Sequence, residues 1–148
     1  MSVLLEVDDL KISARRDDDS LLQIVKGVSF NAARGEVVAL IGESGSGKTT
    51  IALSALGYTK PGLEFAGGEV RLENEDVISM ESNQLRALRG QRVAYLAQSA
   101  AATFNPALTI GEQVTESCVL HGILDQEQAN ERAETLYRAL ELPDPDRL

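Results

Sequence analysis

The stretch from Ile41 to Thr50, IGESGSGKTT, is where residue types and spacing most plainly suggest chemistry. Gly42-Glu43-Ser44-Gly45-Ser46-Gly47-Lys48-Thr49 fits G-x-x-x-x-G-K-[ST] at every position. Glycines at 42, 45 and 47 let a backbone turn through conformations closed to other residues and approach a ligand closely. The amides of such a loop converge on an anion. A helix opening near Lys48 adds unpaired N–H groups and the positive end of its dipole. The Lys48 ammonium would then reach the β- and γ-phosphates of a nucleotide, and the Thr49 hydroxyl would be a ligand of Mg²⁺.

A loop of this kind needs a strand to deliver it and a helix to receive it. Glu36 to Ile41, EVVALI, is a nearly continuous apolar run and predicts a strand buried on both faces. A helix is expected from Lys48 to Leu56. Upstream, Val3 to Ala14 and Ile24 to Ala32 read as strands, separated by the charged turn RRDDDS and followed by a tight turn at Arg34-Gly35. Downstream, Pro61, Gly62, Gly67 and Gly68 mark a loop. Glu69 to Val77 alternates with charges and reads as a strand near an edge. Glu81 to Arg89 reads as a short helix and Arg92 to Ala97, RVAYLA, as a second buried-type strand.

The character changes after Gln98. Ser99 to Pro106 is small and loop-like. Ile110 to Leu124 and Gln126 to Leu142 have helical spacing, the latter ended by Pro143-Asp144 and Pro145-Asp146. Strands with an intervening helix, then helices alone, predict an α/β core with a helical subdomain.

The 148 residues suffice for a domain with a core. A formal net charge of −9 argues against a nucleic-acid binder. From residue 112 on there are nine acids and three arginines, a pattern of solvated helix faces. No stretch is long and apolar enough for a membrane helix, and acids stand where a signal peptide needs a basic start. A cytosolic protein with no direct membrane insertion is expected. One cysteine, Cys118, allows neither an internal disulfide nor a zinc cluster.

Three features beyond the loop carry a resemblance. Two strands and Gly35-Glu36 precede the loop's strand, Gln98 follows RVAYLA directly, and a helical segment begins soon after. Together these resemble the ATP-binding subunit of ABC transporters. Within that family, GESGSGKT and Thr103-Phe104-Asn105-Pro106-Ala107-Leu108-Thr109-Ile110-Gly111-Glu112-Gln113 resemble the oligopeptide, dipeptide and nickel importers, and Leu142 to Leu148 looks like the approach to their signature motif.

The resemblance implies a P-loop NTPase core with N-terminal antiparallel strands over residues 1–98, and an incomplete helical subdomain over 99–148. It implies ATP and Mg²⁺ as ligands. Gln98 would contact Mg²⁺ or the attacking water and sense the γ-phosphate, and Thr50 would bind the α-phosphate. Partners would be two transmembrane permease subunits, with the loop of Gln98 beside a coupling helix, and a second ATPase domain paired head to tail. The subunit would sit on the cytoplasmic face of the membrane and power import of peptides or related small solutes. Adenine stacks on an aromatic ring after the first strand in that family. Here Ile12 to Arg16 holds none, and Arg15 or Arg16 offers a guanidinium plane instead.

Phosphoryl transfer also needs a metal anchor after an apolar strand and compensation for developing charge. No Asp follows such a strand, no LSGGQ occurs, and the only histidine, His121, falls within an expected helix. The chain therefore reads as the N-terminal portion of a longer ATPase, inactive in turnover alone. A soluble ABC ATPase that moves no solute, a small-molecule P-loop kinase and a binding or assembly module without turnover are the alternative readings.

Overall fold

The structure is a computed structural model that describes residues 2–99 and 103–143. The chain divides into two compact units, Met1–Tyr95 and Leu96–Leu148.

The first unit is built on a four-stranded antiparallel sheet of order β2-β1-β3-β4. Strands β1 (Val3–Arg15) and β2 (Leu21–Ala33) form a hairpin, and β1 also pairs with β3 (Leu63–Leu72). Beyond β3 lies the two-residue β4 (Glu75–Asp76). Val7, Leu10 and Ile12 of β1 are all buried, although strict alternation would send Val7 and Leu10 to opposite faces. A bulge at Asp8-Asp9 resolves this. Both ladders shift register there and Asp9 adopts φ 44°, so the extra residue resets the phase and returns Leu10 to the core. These side chains pack with Val25, Val70, Leu72, Val77, Ile51 of α1 (Lys48–Ser54) and Leu88 of α2 (Ser82–Leu88).

The two upstream strands and both short helices form where periodicity places them, within a few residues. Gly67 and Gly68, expected in a loop, instead lie inside β3. The two nearly continuous apolar runs depart most from expectation. Glu36 to Ile41 and Arg92 to Ala97 are not strands. A strand buried on both faces needs a neighbour at each edge, and among the described residues neither run has one beyond an isolated Arg89–Val93 bridge. Val37, Ile41 and Leu96 are more than nine-tenths exposed, while Leu40 and Val93 still pack against the core.

The entries to these two runs share an anchor. The β3–β4 turn places Glu73 at φ 51°, and its carboxylate accepts from Arg34, just before the first run. It also accepts from Arg92, at the start of the second, with Nη2 at 2.8 Å and Nε at 3.2 Å. Arg92 Nη1 reaches Glu75 at 3.0 Å. The Arg92 hydrogen bond, and then the Arg34 charge, hold the Glu73 carboxyl below its ordinary value of 4.5. A depressed carboxyl stabilises the fold above its unfolded value and loses that contribution as pH falls through the folded value. Glu73→Gln is therefore expected to destabilise the chain in urea at pH 7. The gap from the parent should narrow below about pH 4.5; an equal gap at both pH values would refute the assignment.

The second unit is a helical hairpin of α3 (Ile110–Leu120) and α4 (Gln126–Ala139). Each helix opens on a reciprocal cap, Thr109 with Glu112 and Asp125 with Gln128. The Thr109 backbone N–H, then its hydroxyl, keeps the Glu112 carboxyl below the usual range. Ala129, Ala133 and Tyr137, spaced four apart, form the buried seam of α4, and Gln126 Nε2 donates to buried Thr115 Oγ1 at 3.2 Å. Both helices stop short of their expected ends. His121 caps α3 from just beyond its last residue, and α4 closes at Leu140, three residues before Pro143. Asp144, Pro145 and Asp146 of the expected stop, the rest of the stretch to Leu148, and residues 100–102 of the expected loop lie outside the described residues.

Candidate phosphate-binding site

The glycine-rich segment begins with a turn in which Ser46 N donates to Glu43 O at 3.2 Å. Gly45 and Gly47 have φ 82° and 89°, in the left-handed region that penalises any side chain. Gly42 has no such φ. A Cβ there would stand 2.9 Å from Ser46 Oγ, a contact that rotation of the exposed serine side chain relieves. Gly47 caps α1, whose first backbone bond runs from Ile51 N to Gly47 O at 2.9 Å. A Cβ at Gly47 would lie 3.5 Å from Val25 Cγ2 and 3.7 Å from Ile24 O, so the loop rests closely on β2.

Lys48 folds back into this loop. Its Nζ donates to Gly42 O at 2.8 Å and Glu43 O at 2.6 Å, with Ser46 Oγ more distant at 3.5 Å. An ammonium has three protons. Two are committed to loop carbonyls, which hold the charge in place and leave one direction for an anion. Glu43, Ser44 and Thr49 are exposed, and Thr50 is half-buried in the first turn.

The far end of α1 is held by Arg89. Its Nε donates to Leu56 O and its Nη2 to Gly57 O, both at 2.9 Å. Both carbonyls belong to the turn that follows α1, just beyond its C-cap Ala55. With Ile51 in the core and Gly47 on β2, α1 is fixed at its start, middle and end. An apolar cavity of about 340 Å³ adjoins this anchor, with Tyr58 and Tyr95 among its lining.

The structure thus gathers Gly42 to Thr50 into one loop and helix start. Gln98 belongs to the second unit, where it is exposed. Arg15 directs its guanidinium to Asp19 and Glu64, each at 3.6 Å, and Arg16 N closes the hairpin turn on Ser20 O at 2.9 Å. Among the described residues no cluster of His, Cys, Asp or Glu could hold a metal by protein groups alone, and no helix is long and apolar enough to cross a membrane.

Comparison with known proteins decides the family. A family model described as ABC transporter matches residues 25–148. The chain belongs to the ABC transporter family. Curated relatives in that family include the oligopeptide transport ATP-binding protein AppD of Bacillus subtilis, 39% identical over 139 residues, which are 93% of this chain and 42% of AppD. A putative peptide import ATP-binding protein of Brucella abortus is 38% identical over 144 residues, 97% of this chain and 43% of the relative. The chain thus spans about two-fifths of the length of the curated relatives it matches. Among solved structures, the ATP-binding cassette MJ0796, in a dimeric post-hydrolysis state with ADP and Pi, superposes with a TM-score of 0.75. The match covers 98% of this chain and 63% of that one at 21% identity, so it speaks to the fold. The α/β class and the resemblance to peptide-importer ATP-binding subunits are both borne out.

Two working residues were not singled out by sequence reasoning. Arg89 shows no local signal, because its acceptors lie 32 and 33 residues away. Gln113 entered only as part of a family-like string. Its signal was the cap T-x-x-E directly before it, which places it one turn into a helix and facing the preceding loop.

Proposed function

We propose that this chain is the ATP-binding portion of an ABC importer subunit that powers uptake of peptides or related small solutes. The observation that carries the reading is the Lys48 ammonium, held by Gly42 O and Glu43 O inside a loop of phosphate-binding spacing at the start of α1. Gly42, Glu43, Ser44, Gly45, Ser46 and Gly47 would wrap the phosphates with backbone amides, and Lys48 would meet the β- and γ-oxygens. Thr49 would complete the coordination of Mg²⁺, and Thr50 would reach the α-phosphate. Gln98 would join the metal or the attacking water. Residues 1–98 would serve as the nucleotide-gripping core and 99–148 as part of a helical subdomain.

The whole subunit would pair head to tail with a second ATPase domain on the cytoplasmic face of the membrane and drive two permease subunits. Support comes from the family match and from relatives whose names specify peptide import. Hydrolysis needs a second metal anchor and charge compensation that these 148 residues do not supply. Calorimetric titration of the chain with MgATP, run beside a phosphate-release assay, tests this. Binding without release is expected. Absence of binding would remove the nucleotide reading, and sustained release would remove the division between gripping and cleaving residues.

A further inference from the structure

The segment that carries the phosphate loop runs from Arg34 to Gly57, and one short turn holds both of its ends. At the far end, Arg89 Nε donates to Leu56 O and Nη2 to Gly57 O, both at 2.9 Å. Gly57 turns there at φ 61°. A Cβ on it would stand 2.5 Å from Leu85 Cδ2 and 3.0 Å from Val77 O, so this exit is tightly packed. At the near end, Arg34 donates to the Glu73 carboxylate, which also accepts from Arg92. Arg89 and Arg92 are the first and last residues of a single turn, Arg89-Gly90-Gln91-Arg92.

That turn has a footing of its own. Gly90 adopts φ 86°, its N donates to Val93 O at 2.8 Å, and Arg92 N donates to Leu88 O at 2.9 Å. Leu88, just ahead of it, is buried in the core. Glu73 is tied to β1, where its N donates to Leu4 O at 2.8 Å. Both anchors therefore rest on the core and sheet. What they hold is short. Helix α1 has seven residues, about 10 Å at 1.5 Å per residue. A shift at its exit is carried to Lys48 at its start with little between to absorb it. In a site that works by alignment, a displacement of about 1 Å can cost about two orders of magnitude.

We propose that Arg89 is a positioning residue for the phosphate site. By tying the exit of α1 to the turn from Arg89 to Arg92, it sets the place from which Lys48 meets the phosphates. The proposal rests on the nucleotide reading above. Its test is calorimetry of the complete ATP-binding subunit with MgATP, at a temperature where every variant is folded. Arg89→Met keeps an unbranched side chain and removes the fork, and it is expected to raise Kd about tenfold. That factor should hold from about 0.01 M to about 1 M salt, over which the screening length falls from about 30 Å to about 3 Å, because position carries it and charge does not. Gly62→Ala, which strains a φ of 82° but meets nothing within 4 Å, destabilises the fold elsewhere and should leave Kd unchanged. Arg89→Lys, with one ammonium in place of the planar fork, should raise Kd in the same direction and serves if the methionine variant does not fold.

A ratio of variant to parent Kd that returns to one at high salt would make Arg89 a distant charge and overturn the positioning role. Parental affinity in Arg89→Met, or in Arg89→Lys if the first does not fold, would overturn it too. An equal loss in Gly62→Ala would show that affinity follows stability alone, with the same consequence. If the unsubstituted subunit does not bind MgATP, the nucleotide reading fails, and this proposal with it.

Discussion

Lys48→Ala is expected to weaken MgATP binding by about two orders of magnitude or more, a loss equal to one or two charge-assisted hydrogen bonds to phosphate. Among the described residues its hydrogen bonds stay within its own loop, to Gly42 O, Glu43 O and Ser46 Oγ. It contributes nothing to the apolar core formed by Val7, Leu10, Ile12 and their neighbours. Thermal unfolding should therefore barely change while calorimetric binding disappears. Lys48→Arg should not rescue it. A planar guanidinium cannot occupy the place of a compact ammonium coordinated by two carbonyls on one side. Retained affinity in the alanine variant would mean that the amides alone hold the nucleotide, and that the lysine serves another step.

The largest effect on stability is expected from Gly68→Ala, and a second glycine supplies the control. Gly68 and Gly62 both have φ 82°. A Cβ at Gly62 meets nothing within 4 Å, whereas at Gly68 it would stand 2.3 Å from Asp9 O and 2.5 Å from Asp8 O. Those oxygens belong to the β1 bulge and are backbone, so they cannot swing aside. Gly62→Ala should cost only the left-handed penalty, about 1–2 kcal/mol. Gly68→Ala adds a forced shift of β1, about 1–3 kcal/mol more, for roughly 2–5 kcal/mol in total, a large share of a small unit's stability. Urea denaturation of both variants measures the difference. Equal losses would show that β1 and β3 separate at the bulge without cost.

These residues also mark what could be read in advance. The glycine turn and the start of α1 were legible because their whole requirement lies within eight consecutive residues. The hairpin strands and the helix starts were legible for the same local reason. Gly68 was misread because glycine signals a turn locally, while its actual reason, the backbone of Asp8 and Asp9, is about sixty residues away. The runs at 36–41 and 92–97 were misread because apolar content reports a demand for neighbours and not their presence. The bulge in β1 left a trace, the odd spacing of Val7 and Leu10, but its interpretation required both flanking strands. Glu73, Arg89 and Gln113 do their work through polar contacts between segments, and no periodicity records those.

The strand order carries one more consequence, in time. β1 and β2 are joined by a short turn, and hairpins of that kind close in about 1–10 μs. β3 must find β1 from farther off, with Ala14 meeting Leu63 and Leu5 meeting Leu72. Everything from the end of β2 to the start of β3, the phosphate loop included, is looped out until that pairing forms. Non-local pairings of this type are the slow ones. The residues most recognisable in the sequence therefore acquire their supports late. Val25, against which Gly47 rests, is in place with the hairpin, but Ile51 has no complete core to enter until β3 arrives. On this order of events a newly made chain carries the whole motif before it has the packing that holds the motif in place.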